Sequence, residues 1–436
     1  MIEAIALVVL VAVFAISAIR NVHMGALAFV AALLVGVIVV GEPLDDVLGG
    51  FPVDALLILL GITYLFGIAR TVGAVDWLVD RSVRLIGDRV ALIPWAMLLV
   101  GTLVACLGTS HAAFTIVPIA MSLAHKHRIH STMMGIFMSS AIVGGALAPT
   151  SIVGITVMTV ANTADIPYNP ALMFGLSVGI NVVVSLAAFL MFGGRELIAR
   201  GRAAKAAADA GEPAGSGGGV AVATRTEAPV RLSGFGVLTL VAIPVLIVGF
   251  ATVTMLDIDL NLGAVALTLA VLLAFIDPKV GKESLGKIDW NTILLLGGII
   301  TYVGVLTRLG AIDQLGEVAR SVNVPLLAAF VMCVIAALVS AFASTIGIIG
   351  ALIPLAVPLL VPGGGLEMTG FIYALAISAS LVDCAPFGTT GATIVASGVE
   401  EERPRLYRHL ATWGLSMVII GPLVTLALFV VPFLGL

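Results

Sequence analysis

Small hydroxyl-bearing residues cluster at four points where long apolar stretches of the sequence are interrupted. Two clusters lack proline, namely Gly108-Thr109-Ser110-His111 and Ser344-Thr345. Two contain it, namely Ala148-Pro149-Thr150-Ser151 and Ala385-Pro386-Phe387-Gly388-Thr389-Thr390. A helix that begins at such a point starts with unpaired N–H groups and a partial positive charge. The four clusters are therefore suited to bind a small anion, and their exposed carbonyl groups suit a coupling cation.

A lone carboxyl group, Asp383, stands inside an apolar segment just before the second proline cluster. Acidic side chains are costly inside a membrane and usually have a function there. Asp383 is therefore the candidate for coupling transport to Na⁺ or H⁺, with Thr109 and Ser344 as further ligands of the coupling ion. The alternative is that Asp383 caps an interrupted helix.

We interpret the members of the four clusters as the substrate-binding set: Gly108, Thr109, Ser110, His111, Pro149, Thr150, Ser151, Ser344, Thr345, Pro386, Phe387, Gly388, Thr389 and Thr390. His111 is expected to be neutral at a helix start, either as a hydrogen-bonding substrate contact or as a packed core residue. No Lys or Arg adjoins a cluster in the sequence. Helix ends, hydroxyl groups and a co-bound cation are therefore expected to balance the substrate charge. The alternative is that small residues here only allow close helix packing.

The interruptions recur at a fixed spacing. Residues 57–78 align without a gap on residues 294–315, at an offset of 237 that places Gly61 over Gly298. The same offset places the two Ala-Pro pairs over one another and Gly154 over Gly391. Matched helix interruptions in the two halves of a membrane protein point to the binding site of a secondary transporter.

Composition places the chain in a membrane. Hydrophobic residues make up 60% of the sequence and charged residues 11%, which is typical of an integral membrane protein. The first apolar run, from Ile2 to Ile19, has no basic segment before it, so we interpret it as a transmembrane helix rather than a signal peptide.

Several other classes of protein are disfavoured by the sequence. It contains no P-loop, which argues against an ATP-driven pump, and no His-Glu-x-x-His or Gly-x-Ser-x-Gly motif, which leaves an intramembrane enzyme or a receptor as weaker alternatives. The cysteines have no disulfide or metal-ligand spacing. His125, His127 and His130 resemble a metal cluster, but we interpret them as part of a basic cytoplasmic loop. No metal, cofactor or nucleic acid is expected.

The apolar stretches predict an all-α integral membrane protein with two inverted repeats, each having five transmembrane helices and one re-entrant hairpin. The first repeat covers residues 1–194, with its hairpin at 90–124 and a broken helix at 132–162. The second covers 234–436, with its hairpin at 324–361 and a broken helix at 369–397. The polar segment 195–233 is predicted to be a disordered cytoplasmic linker. Residues 74–89 and 311–323 are predicted to form interfacial helices before each hairpin.

The positive charges predict an orientation. Five crossings per half is an odd number, so the two halves must be inverted relative to one another. With both termini outside, only Arg308 and Arg320 of the 21 Lys and Arg residues lie outside. Basic residues concentrate in cytoplasmic loops, so this distribution favours both the crossing count and the orientation.

Ordered motifs throughout the chain resemble the malonate and dicarboxylate carriers of the MatC type. They are NVHMGALAF at 21–29, GFPVDALLIL at 50–59, RIHSTMMG at 128–135, GALIPLAVP at 350–358 and VDCAPFGTTGA at 382–392. These carriers are similar to the divalent anion:sodium symporters within the ion transporter superfamily. The resemblance implies inverted repeats, a homodimeric scaffold and a mobile transport domain that works as an elevator. It also implies binding of substrate carboxylates and Na⁺ at the hairpin tips, where relatives carry Ser-Asn-Thr.

The expected function is secondary transport of a small organic anion across the bacterial inner membrane. A short dicarboxylate such as malonate is the leading substrate, carried together with Na⁺ or H⁺. An inorganic or sulfonated anion carrier and a cation/proton antiporter of the same superfamily are the alternatives.

Overall fold

The computed structural model describes residues 2–20, 22–75, 77, 81, 90–108, 112–164, 166–200, 232–255, 261–311, 325–342, 345–360 and 368–433. Within these ranges every regular element is helical, as the sequence predicts. Four predicted site residues lie outside them, namely Thr109, Ser110, His111 and Ser344. Most of the predicted interfacial helices and of the linker 195–233 also lie outside. Residues 194–200 are helical, so the first residues of that linker are ordered, contrary to the prediction.

The helices of the first half follow the predicted apolar stretches. They are α1 (Ile2–Arg20), α2 (Met24–Leu33), α3 (Leu44–Gly49), α4 (Val53–Thr71), α5 (Ile93–Cys106), α6 (Ala112–Lys126), α7 (Ser131–Ala146), α8 (Ile152–Thr163) and α9 (Pro170–Met191). A π-helical segment, Leu34–Val40, continues α2. Helices α5 and α6 occupy the stretch predicted as the first hairpin, and α7 and α8 the stretch predicted as the first broken helix.

The second half has the same succession of long helices. They are α10 (Gly234–Met255), α11 (Leu262–Ile276), α12 (Pro278–Leu285), α13 (Trp290–Arg308), α14 (Pro325–Phe342), α15 (Thr345–Leu360), α16 (Met368–Leu381), α17 (Thr389–Ser397) and α18 (Arg403–Phe429). Helices α14 and α15 pack against each other in the second predicted hairpin. The second broken helix consists of α16 and α17, joined through a 3-10 turn at Val382–Cys384.

The helices have the length and surface of a membrane protein. Among the described residues, five helices are long and apolar enough to span a bilayer: Pro170–Met191, Trp290–Arg308, Pro325–Phe342, Met368–Ser397 and Glu400–Phe429. Large apolar side chains also project outward, with Ile19 79%, Ile38 73% and Phe275 86% exposed. Exposed apolar surface of this extent marks contact with a membrane or a partner rather than with water.

Two helix crossings connect the halves through paired glycines. Helix α4 crosses α11 where Gly61 faces Gly263, and α13 crosses α2 where Gly298 faces Gly25. A methyl group added at Gly61 or Gly298 would overlap the backbone of the facing helix. The repeat-matched pair Gly61 and Gly298 thus meets the same steric demand in both halves, since only glycine lets the two backbones approach so closely.

Three contacts between helix ends of the described residues connect ends that the charge distribution predicts to lie on one face of the membrane. The guanidinium of Arg308 lies 2.9 Å from a carboxylate oxygen of Glu42; both ends are predicted to be outside. The ammonium of Lys287 donates to the Thr71 hydroxyl over 2.7 Å, and the Ser131 hydroxyl donates to Glu402; all four are predicted to be cytoplasmic. The orientation of these ends relative to the two sides of the membrane stays a prediction.

A cysteine introduced at Gly215→Cys tests that orientation. If the linker is cytoplasmic, an impermeant maleimide added to intact cells should leave position 215 unlabelled, because it cannot cross the membrane. Asp45→Cys in the exposed α3 is the matched control, and it should be labelled from outside. Labelling at position 215 comparable with that of the control would contradict the topology and the inverted repeat.

Candidate substrate-binding site

The tip of the first hairpin lies against the break in α7–α8. Helix α5 ends at Cys106, and the chain then turns at Gly108 with a φ of 68°, in the left-handed region that favours glycine. The Thr150 hydroxyl donates to the Cys106 carbonyl oxygen over 2.6 Å. Thr150 lies midway along the broken helix, so the hairpin tip stops at the level of the break.

The first break leaves a helix start without a side-chain cap. Helix α7 ends at Ala146 and α8 begins at Ile152, so the predicted cluster at residues 148–151 falls between them. Ser151 is 4% exposed and precedes α8, but its side chain makes no capping hydrogen bond. A methyl group at Gly154 would overlap the Ala148 carbonyl group. The break thus presents first-turn N–H groups, and the glycine lets the chain fold back tightly beside them.

The second break repeats this geometry with one difference from the prediction. Helix α17 begins at Thr389 after Gly388, and again no side chain caps its start. A methyl group at Gly391, the counterpart of Gly154, would overlap the Ala385 carbonyl group. Thr389 and Thr390 were predicted within the break but belong to the first turn of α17. Their backbone is already helical, so their hydroxyl groups belong to the first turn of α17.

Thr345 connects the tip of the second hairpin to the candidate coupling residue. It is the first residue of α15, and its hydroxyl donates to an Asp383 carboxylate oxygen over 3.1 Å. The Ser340 hydroxyl, near the end of α14, lies 2.6 Å from the same Thr345 oxygen. Asp383 is half-buried, midway along the broken helix. The tip of this hairpin therefore also stops at the level of a break, even though α14 has the length of a transmembrane span.

Phe387 is held by aromatic neighbours. Its ring stacks on Phe342 at the end of α14, with a centroid distance of 4.8 Å and an angle of 17° between the planes. Tyr407 packs edge-on against it, with a centroid distance of 6.3 Å. The adjacent Pro386 is buried. Phe387 thus joins the second break to the second hairpin and remains 38% exposed.

The two halves of the site pack on each other through the second helix of each hairpin, α6 and α15, which we call the second arms. Helix α6 of the first hairpin packs on α17, and α15 of the second hairpin packs on α8. The 3-10 turn that carries Asp383 packs against α7 of the first half as well as α14 and α18. The predicted residues thus form two groups, one around Gly108 and Thr150 and one around Thr345 and Asp383. No hydrogen bond joins the two groups within the described ranges.

A cavity of about 380 Å³ opens beside Gly108, and Arg70 and Lys287 line it. The sequence places neither residue beside a cluster, yet both line the same cavity as Gly108. Lys287 reaches this cavity because the junction of α12 and α13 packs on α4. This contact depends on tertiary structure and leaves no mark in the local sequence.

His130, the last of the three histidines near Lys126, has a structural role. His130 precedes α7, and its ring nitrogen accepts from the Thr132 N–H over 3.2 Å. Burial, together with nearby Arg405 and His409, lowers the pKa of His130, which favours the neutral ring that can accept this bond. Within the described ranges no three His, Cys, Asp or Glu side chains form a metal site.

Residues 1–148 match the family model of the dicarboxylate carrier protein MatC N-terminus. The match covers the first hairpin and α7, and it ends just before Pro149. A comparison with curated proteins gave no match.

The apolar helices and the family match together define a membrane transporter rather than an enzyme. The match supports the predicted resemblance to MatC-type carriers and hence a transporter of dicarboxylates.

Proposed function

We propose that the protein is a secondary carrier of a short dicarboxylate such as malonate. The observation that carries this is the pair of uncapped helix starts at the two breaks, each beside a hairpin tip. Free first-turn N–H groups and the helix dipole favour a carboxylate. Two such starts on interlocked halves suit a substrate with two carboxylates. The match to a dicarboxylate carrier N-terminus supports the same substrate class.

The hydroxyl groups at the site would complete the recognition of the substrate. Thr345 stands at the start of α15, and Thr389 and Thr390 stand in the first turn of α17. The Thr389 and Thr390 hydroxyl groups can each donate to a carboxylate oxygen, and Thr345 can do so when its hydroxyl turns from Asp383 to the substrate. A hydrogen bond to a charged group is worth about 1.5 to 3 kcal/mol. Ser151, Thr150 and Gly108 are the corresponding contacts at the first break.

We assign coupling to Asp383, through Na⁺ or H⁺. Its carboxylate is half-buried where the second hairpin, the second break and the first-half helix α7 meet. A carboxylate in that position can bind a cation or a proton whose presence alters the hairpin contact through Thr345. Coupling ion and substrate would then lie close enough for the binding of one to alter the binding of the other directly.

We further propose that the protein works by an elevator mechanism as a homodimer, in which each subunit contains two inverted repeats. The hairpins and broken helices form the mobile domain in this proposal, and spans 1, 2 and 5 of each half form the scaffold and the dimer surface. The interlocked second arms support a single moving body that contains both halves of the site.

A thermal-shift screen tests the substrate class. The purified protein is heated with each of a series of C2 to C6 mono- and dicarboxylates, with and without Na⁺. A ligand that binds the folded state raises the melting temperature through mass action. Malonate or another short dicarboxylate should give the largest shift. Stabilisation by monocarboxylates or sulfonates alone would move the proposal to a different anion.

Thr345→Ala tests the position of the site. The variant should fold normally but bind malonate at least about tenfold more weakly, because a hydrogen bond to a charged ligand is lost. Thr268→Ala is the matched control, since that exposed hydroxyl bonds only to its own helix at Ala264. Equal malonate affinity in the two variants, measured by calorimetry, would place the substrate elsewhere.

A further inference from the structure

The cavity beside Gly108 runs along α4 away from the hairpin tip. A β-carbon at Gly108 would lie 3.3 Å from the Ile62 side chain and 3.5 Å from that of Phe66. Phe66 and Arg70 both line the cavity, one helical turn apart. The cavity therefore extends from the hairpin tip to the end of α4, on the face predicted to be cytoplasmic.

Lys287 brings a second positive charge to this end of the cavity. Its ammonium donates to the Thr71 hydroxyl over 2.7 Å, and its side chain is 33% exposed. Lys287 can pack this closely against α4 because residue 67 is glycine. A β-carbon at Gly67 would lie only 3.3 Å from the β-carbon of Lys287. Arg70 is half-buried, and no carboxylate of the described residues pairs with it.

The nearby acids leave the cavity with an excess of positive charge. Asp289 lines the cavity, but its carboxylate accepts the Thr292 N–H over 3.0 Å and the Thr292 hydroxyl over 2.9 Å. It caps α13 and offsets the positive start of that helix. Glu283 lies 3.5 Å from Lys287 on a side chain that is 64% exposed, where solvent screens the pair.

The corresponding end of α13 differs. There Arg308 is held by Glu42 through three contacts, Nε to each carboxylate oxygen at 3.3 Å and a terminal nitrogen to Oε2 at 2.9 Å. Among the described residues, Arg308 is therefore paired with a carboxylate at its end of α13, whereas Arg70 is not.

We propose that this cavity is a vestibule where Arg70 and Lys287 hold a carboxylate of the dicarboxylate on its way to or from the hairpin tip. Arg70 can engage a carboxylate with two parallel hydrogen bonds, and Lys287 adds a point charge. The proposal rests on the proposed function and adds a second, side-specific binding site to it.

Transport measured separately from each face of oriented proteoliposomes tests the vestibule. Arg70→Gln and Lys287→Gln should each raise the KM for malonate about tenfold from the vestibule face with kcat unchanged. From the other face the KM should stay at the wild-type value and kcat should fall by the same factor, because kcat/KM of a carrier must change equally in both directions. High salt should raise the wild-type KM from that face more than it raises the variants' KM. Lys282→Gln, on an exposed position of α12 that does not line the cavity, should behave as the wild type.

Lys287→Arg keeps the charge and should keep the wild-type KM, which separates loss of charge from loss of folding. A KM unchanged in both Gln variants, or raised equally from both faces, would overturn the vestibule while leaving the carrier function intact. A wild-type protein that moves no dicarboxylate would overturn the proposed function, and the vestibule with it.

Discussion

Asp383→Asn should abolish accumulation of substrate against its gradient while leaving substrate exchange partly intact. Asparagine keeps the size of the side chain and an oxygen that can accept from Thr345, which lies 3.1 Å from the carboxylate. It removes the charge that would bind the coupling cation or proton. Exchange needs no net movement of the coupling ion, so only the driven process should fall to background.

The measurement is uptake of labelled malonate into proteoliposomes under Na⁺ and pH gradients, followed by exchange without a gradient. Asp45→Asn is the control, because Asp45 is exposed on α3 away from the site. A variant that still concentrates malonate with the usual Na⁺ and pH dependence would make Asp383 a structural cap. The coupling ion would then have to be bound by backbone carbonyl groups at the breaks.

Gly298→Ala should destabilise the protein by about 2 kcal/mol, even though alanine favours a helix. The added methyl group would overlap the backbone of α2 at Gly25, and backbone cannot move aside as a flexible side chain can. Overpacking in a core typically costs about 1 to 3 kcal/mol, and the gain in helix propensity is about 1 kcal/mol. Gly61→Ala should have an equivalent effect at the crossing of α4 and α11.

Gly175→Ala is the matched control, since a β-carbon at Gly175 on α9 has open space around it. Thermal midpoints measured by size-exclusion chromatography after heating should fall for the two crossing variants and remain near the wild-type value for the control. Equal midpoints in all three variants would show that the crossings are looser than the structure indicates.

The positions of the interruptions could be predicted because their causes are local. Proline removes a helix hydrogen bond, and the glycines allow backbone to approach backbone. The two breaks accordingly fall where the sequence predicts them, and Gly154 and Gly391 have the same steric role in both.

What brings distant side chains together could not be predicted. Lys287 lines the same cavity as Gly108 because α12 packs on α4. The hydrogen bond from Thr345 to Asp383 depends on how the second hairpin sits on the second break. The capping role of His130 depends on the local turn of the backbone before α7, and the surrounding run of histidines and basic residues gives no sign of that turn.

Counterflow of labelled malonate in proteoliposomes of the wild-type protein tests the central claim most directly. Vesicles loaded with unlabelled malonate are diluted into a trace of labelled malonate without an ion gradient. We expect transient accumulation of label that other short dicarboxylates inhibit and that Thr345→Ala weakens. No accumulation of label beyond that in protein-free vesicles, with malonate or any other C3 to C6 dicarboxylate, would contradict a dicarboxylate carrier.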